Sequence, residues 1–211
     1  LGAALIVAAL FVRLQPNLSS AHETGLLMSA VRREIEKEQF DSAKEKIEKA
    51  LELNPDLGEA GLYQGDIYLK KEQPTRALKI YTRVEVNEPH NPAPLLRKAR
   101  LQLAENNLAK AEEDSRRALR LDPLSLEALT LLVEIRHRRG DRRGEIAGYR
   151  KILQLNPNSV DTLNNLAVAL ASAGDEHSAR FYWRRALRVN PESEELKNNL
   201  AVSRRRHDNG E

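Results

Sequence analysis

No cysteine occurs among the 211 residues, so neither a disulfide framework nor a thiolate metal site is open to this chain. Aromatic side chains are scarce at 4%, with a single tryptophan, while 31% of residues are charged. That balance suits a shallow, continuous core between stacked helices better than one deep core. Charge of one sign is nearly absent in net terms: 34 Lys and Arg against 31 Asp and Glu leaves 34−31=+3. So small an imbalance argues against a nucleic-acid surface. The sequence also lacks a glycine-rich phosphate loop and a serine nucleophile elbow. His22, His90, His137, His177 and His207 are scattered, and none forms an HxxxH or HExxH pair. Glu134 and His137 lie three apart on one helix face and would supply two metal ligands, but the second pair that a site needs is missing. Glu112-Glu113-Asp114 reads as a hydrated face, since a carboxylate dyad requires burial to separate its two pKa values. No catalytic constellation and no cofactor site emerge, and the chain reads as non-enzymatic.

What is present is a period. Pro55, Pro89, Pro123, Pro157 and Pro191 are each 34 residues apart (89−55, 123−89, 157−123, 191−157). Regular spacing of this kind is the signature of a repeat array, in which stacked units present an extended binding surface. Directly before each proline stands Asn54, Glu88, Asp122, Asn156 or Asn190. A helix running into such a pair must stop, because proline disfavours helical geometry in its predecessor. Twelve residues upstream a small residue recurs, as Ala43, Ala77, Ala111 and Ala179, where two helices can approach closely. Gly140-Asp141 and Gly174-Asp175 supply a helix stop followed by a cap. Pro74 falls where a second helix should begin, a position that tolerates proline. Leu163, Leu166, Ala167 and Leu170 mark one buried helix face by their i, i+3, i+4, i+7 spacing.

These features resemble the tetratricopeptide repeat family, whose 34-residue unit is two antiparallel helices with small residues near positions 8, 20 and 27 and proline at 32. With proline at 32, the units start at Thr24, Gly58, Pro92, Leu126 and Val160, and the array ends at Ser193. Position 24, often aromatic in the family, reads Ile47, Tyr81, Ser115, Tyr149 and Trp183. Its aromatic side chains are read as core wedges. The fourth unit departs most, with Glu145 in place of alanine and Gly148 inside its second helix, and looser packing is expected there. The resemblance implies an all-α solenoid of five helix pairs over 24–193, with 194–211 as a capping helix and polar tail. Leu196, Leu200 and Ala201 form the apolar side of that cap. Eleven helices are expected beyond the N-terminal segment.

The first residues belong to another environment. Leu1–Val12 carries no charge, and Arg13 is the first ionisable side chain. Twelve helical residues reach roughly 18 Å, short of the ~30 Å hydrocarbon layer. The sequence begins at Leu1 without a methionine, as expected of a processed or incomplete chain. Residues 1–14 are read first as part of a transmembrane helix with Leu5, Ile6, Val7, Leu10 and Phe11 in contact with lipid. A signal segment cleaved near Ser19-Ser20-Ala21 and a partner-buried helix are the other readings. Residues 15–23 then form a linker. Only Arg13 is basic close to the apolar segment, which favours an extracytoplasmic, periplasm-like side for the repeats.

In the family the first helices line a concave binding face, around positions 2, 5, 6, 9, 12 and 13. Here these positions include Tyr63, Arg97, Arg100, Glu127, Leu131, Glu134, Asn164 and Asn165. The family's lysine-and-asparagine carboxylate clamp is not matched, since the first unit has Met28 and Arg32 and the third Leu96 and Arg100. The run Asn-Asn-Leu-Ala-Val at 164–168 recurs at 198–202, which places Asn165 and Asn199 one repeat apart at position 6. The resemblance implies an asparagine ladder there that grips the backbone of an extended partner, or else amides satisfied within the protein. Arg136, Arg138, Arg139, Arg142 and Arg143, with Arg204-Arg205-Arg206, read as an anion-binding edge or as a solvated rim offset by acids. The functional expectation is a membrane-tethered scaffold that binds protein partners, as subunits of a membrane complex. An exported adaptor or chaperone-like factor is the alternative, and a nucleic-acid partner is disfavoured.

Overall fold

The computed structural model describes residues 20–208, with side chains through Ser203. Among these residues every regular element is an α-helix: α1 (20–36), α2 (Phe40–Leu53), α3 (Gly58–Lys70), α4 (Pro74–Asn87), α5 (Ala93–Ala104), α6 (Leu108–Leu121), α7 (Leu126–Arg138), α8 (Arg142–Leu155), α9 (Val160–Ser172), α10 (Glu176–Val189) and α11 (Glu194–Asp208). They make five helix pairs and a final single helix. The chain divides into two compact units, one through Lys98 and one from Ala99.

The residues before the five prolines set where the second helices end. Asn54, Glu88, Asp122, Asn156 and Asn190 cap α2, α4, α6, α8 and α10, with φ from −145° to −125°. Each leaves the helical region as a pre-proline residue must, while its N–H still reaches the carbonyl four residues back. The turns within the pairs share another rule. Glu38, Glu72, Asn106, Gly140 and Gly174 all have positive φ, between 57° and 83°. All five occupy position 15, so the left-handed residue is a property of the repeat. Glycine, the residue it favours, fills only the last two. Starts are capped by side chains in the second unit: Asn107, Ser125, Asp141, Ser159 and Asp175 each accept from a backbone N–H three residues on.

Ala43, Ala77, Ala111 and Ala179 are fully buried, as the close approach of helices requires. Tyr81 and Trp183 wedge into the core, and Tyr149 is half-buried against Leu129, Val133 and Ile152. In the first unit Gly65 makes room for Tyr81, whose ring a Cβ there would meet at 2.3 Å. The fourth repeat is not loosely packed, contrary to expectation. A Cβ on Gly148 would lie 2.3 Å from Val133, so the missing side chain offsets a large one across the contact.

Three further expectations are corrected. Glu112 and Asp114 are buried, not a hydrated face, because Arg116 and Arg139 pair with Glu112 while Gln102 and Arg117 donate to Asp114. On α11, Leu196 and Leu200 join the core of the last repeat, each contributing about 1.5–3 kcal/mol by burial. Ala201 is exposed, and Ser203 takes the third buried place. Residues 20–23, expected to end the linker, are helical, since no proline or glycine interrupts them and Thr24 Oγ1 donates to the Ser20 carbonyl at 2.6 Å. The segment Leu1–Val12, with Leu5, Ile6, Val7, Leu10 and Phe11, lies outside the described residues. Among the described residues no helix is long and apolar enough to cross a membrane.

Candidate partner-binding face

The first helices of the pairs carry a row of polar side chains that bond from one repeat to the next. In the first unit Arg32 Nε on α1 donates to Tyr63 Oη on α3 at 2.9 Å, and its guanidinium stands 3.5 Å from Glu59. The bond to Tyr63 holds the Arg32 guanidinium above its ordinary pKa. Arg97 donates through Nε to both oxygens of Asp66, at 3.0 and 3.2 Å, and Tyr81 Oη donates to Asp66 at 2.7 Å. In the second unit Arg100 meets Glu127 at 2.5 Å. Arg138 bridges Glu134 and the carbonyl of Leu103, at 2.7 and 2.9 Å.

The asparagines do not pair as a ladder. Asn199 Nδ2 donates to Asn164 Oδ1 at 3.1 Å, not to Asn165. Asn164 Oδ1 also accepts from Trp183 Nε1 at 2.9 Å, and its Nδ2 donates to Glu195 at 2.8 Å. Asn164 is therefore the hub that ties α9, α10 and α11 together. A buried indole N–H needs an acceptor, and this amide supplies it. Asn165 points outward, is exposed, and has no hydrogen-bond partner among the described residues. Leu131, expected on the binding face, is only 8% exposed and belongs to the core.

Of the expected residues, then, Tyr63, Arg97, Arg100, Glu127, Glu134, Asn164 and Asn199 are engaged within the protein. Asn165 alone keeps its amide free. One helical turn on, Val168 borders a cleft of about 270 Å³ between α9, α10 and α11. Val168 and Val202 form its apolar walls, Trp183 and Asn199 its inner side, and Ser203 with its hydrogen-bonded partner Glu176 one end. Val168 is 44% and Val202 48% exposed, and both face this one cleft.

The arginine-rich edge is largely consumed as well. Arg136 donates to the carbonyl of Gly144 at 3.0 Å, Arg139 pairs with Glu112, and Arg142 reaches Glu145 at 2.5 Å. Glu145, buried where alanine was expected, also meets His137 Nδ1 at 3.1 Å. The side chains of Arg204, Arg205 and Arg206 lie outside those described.

One signal in the sequence marked these bonds. Arg32 with Tyr63, Asp66 with Arg97, and Asn164 with Glu195 are all 31 residues apart. Arg32 with Glu59 and Arg100 with Glu127 are both 27 apart (59−32, 127−100). In a 34-residue array these offsets join positions 9 and 6, 5 and 2, or 9 and 2 of neighbouring first helices. Complementary residues at such offsets are spent on the array.

Among the described residues the fold is that of an all-helical repeat protein of paired antiparallel helices. Tetratricopeptide repeat models match residues 29–92, 96–160 and 149–181. The chain belongs to the tetratricopeptide repeat family. Solved structures share the fold at low identity. A structure described as a functional characterization of Pseudomonas aeruginosa pilF superposes with a TM-score of 0.72 at 15% identity, covering 88% of this chain and 90% of that one. MamA superposes at 0.65 with 19% identity, covering 82% and 94%. YrrB, described as a TPR protein with an unusual peptide-binding site, superposes at 0.62 with 17% identity, covering 84% and 90%. No curated protein sequence matches the chain.

Proposed function

We propose that this protein is a non-enzymatic scaffold that captures an extended segment of a partner protein on the first-helix face of its last repeat. The observation that carries the reading is the cleft between Val168 and Val202, with the unengaged amide of Asn165 one helical turn from Val168. An amide both donates and accepts, so it matches the C=O and N–H of one peptide unit. The cleft takes an apolar side chain of the same segment. YrrB, described as a TPR protein with an unusual peptide-binding site, shares this fold, which supports peptide capture as the kind of use made of it here.

The apolar Leu1–Val12 completes the proposal as a tether that holds the repeats at a membrane, on its extracytoplasmic side, where the partner belongs to a membrane complex. A photoreactive residue at Val168 should crosslink the partner in cells, and Val168→Glu with Val202→Glu should abolish capture without loss of helicity. Crosslinks confined to other faces would refute the site. Membrane fractionation tests the tether separately: removing residues 1–14 should release the folded repeats into the soluble fraction.

A further inference from the structure

The first unit has a second cleft of about 230 Å³ between α2, α3 and α4. Its floor is apolar, from the buried Ile47 and Ile67, and its rim is cationic, from Lys44, Lys71 and Arg76. Gln64, Gln73 and Tyr68 complete the lining, and no carboxylate lines it. Two of the cations have acids outside the cleft. Lys71 meets Asp41 at 2.8 Å, with the Asp41 side chain 94% exposed, and Lys44 meets Glu48 at 3.5 Å with both half-exposed. Such solvated pairs are weak and exchange readily for a better-placed anion. Arg76 has no carboxylate partner among the described residues. Its Nη1 donates to Gln73 at 2.9 Å, and its guanidinium carbon stands 5.8 Å from the centre of the Tyr68 ring. The amide and the ring hold that guanidinium at the cleft's edge while leaving further N–H groups to donate.

This cleft is separate from the polar row of the first helices. It is reached from positions 7, 11 and 14 of the second repeat (Gln64, Tyr68, Lys71), whereas Tyr63 and Asp66 of the row stand at 6 and 9. Three cations around an apolar floor select a ligand with an apolar body and carboxylates on either side. A lone small anion would leave the floor uncovered.

We infer that the α2–α3–α4 cleft binds an acidic peptide segment, in which an aliphatic side chain seats on Ile47 and Ile67 between carboxylates held by Lys44, Lys71 and Arg76. The chain would then hold partner segments at two sites of different chemistry, one reading charge and one reading apolar shape. This inference does not depend on the Val168–Val202 cleft.

The test is fluorescence anisotropy of the whole protein with a labelled peptide alternating Glu and Leu, beside the same peptide with Gln for Glu. The acidic peptide should bind with an affinity that falls as salt rises, and the Gln peptide should bind at least tenfold more weakly. Lys44→Gln with Arg76→Gln should lower the acidic peptide's affinity at least tenfold with unchanged circular dichroism, while Val168→Glu leaves it unchanged. Amide shifts in NMR should move at Gln64, Tyr68 and Gln73. Inorganic phosphate and vesicles of anionic phospholipid serve as competitors. The inference fails if the acidic peptide does not bind, if both peptides bind equally, or if the double variant binds as wild type. It fails too if the vesicles alone bind, which would make the surface a lipid-headgroup site.

Discussion

Asn164→Ala should destabilise the last repeat far more than Asn165→Ala, although the two asparagines are adjacent. The Asn164 side chain accepts from Trp183 Nε1 and Asn199 Nδ2 and donates to Glu195. Truncation strands the indole N–H of Trp183, a residue only 4% exposed. An unsatisfied buried donor costs about 1–3 kcal/mol. Glu195 is exposed and Asn199 half-buried, so water replaces much of what they lose. The expected cost is about 2 kcal/mol, and a urea slope of about 1–3 kcal/mol/M turns that into a midpoint lower by roughly 1 M. Trp183 is the only tryptophan, so its fluorescence reports this repeat directly. In a repeat array each unit contacts only its neighbours, so the fluorescence transition should move further than the far-ultraviolet signal of the whole chain. Asn164→Asp keeps the acceptor but faces the Glu195 carboxylate, so it should fall between wild type and Asn164→Ala at neutral pH. Asn165→Ala, with no bond to lose, should change stability by less than about 0.5 kcal/mol, the usual range for surface sites. Equal losses for the two alanine variants would refute the assignment of Asn164 as the hub.

Ala179→Leu should overpack the contact within the last pair and cost about 1–3 kcal/mol, measured by urea unfolding followed at Trp183. Glu72→Gly should stabilise the first unit by up to about 1 kcal/mol in thermal unfolding, because it relieves the cost of a side chain at positive φ. Asp175 caps α10, and its bonds with the Ser178 hydroxyl and N–H hold its carboxyl below the usual carboxylate range. Its contribution is thus present above the unfolded pKa and lost as pH falls through the lowered folded one. The cost of Asp175→Ala, about 1 kcal/mol at pH 7, should shrink towards pH 3 in denaturant titrations.

The helix pairs, their stops and their small contact residues were legible because each is a local rule: proline fixes its predecessor, and a missing side chain permits close approach. The left-handed position 15 was legible only at Gly140 and Gly174, since Glu38, Glu72 and Asn106 adopt the same geometry without the residue that signals it. Glu112, Asp114 and Glu145 misled for a different reason. Their burial also depends on Arg139, Gln102 and His137, which meet them from neighbouring elements only once helices pack, and composition along one helix does not carry that information. The site was partly legible. Position in the repeat told which residues share the first helices, but not which amides were already bonded, so Asn165 and Asn199 looked equivalent. Val168 and Val202 carry the same period and stand out as aliphatic at a position where the array spends its polar side chains.

That contrast bears on what holds a partner. Arg32, Asp66 and Arg97 are committed to neighbouring helices, and a ligand that drew on them would first have to break bonds already made. A fully satisfied polar row contributes order to the array and little net attraction to a newcomer. The Val168–Val202 cleft differs in sign. Its apolar walls stand in water before binding, so covering them yields about 25 cal/mol per Å² without undoing an internal contact. Affinity on this face should therefore follow the size and shape of one aliphatic side chain in the partner, and should depend little on salt. A partner series from Ala to Val to Leu at that position, measured in low and high salt, separates the two sources. Rising affinity at constant salt slope places the energy in the cleft. A steep salt slope with no dependence on side-chain size would move it to exposed pairs such as Arg100 and Glu127.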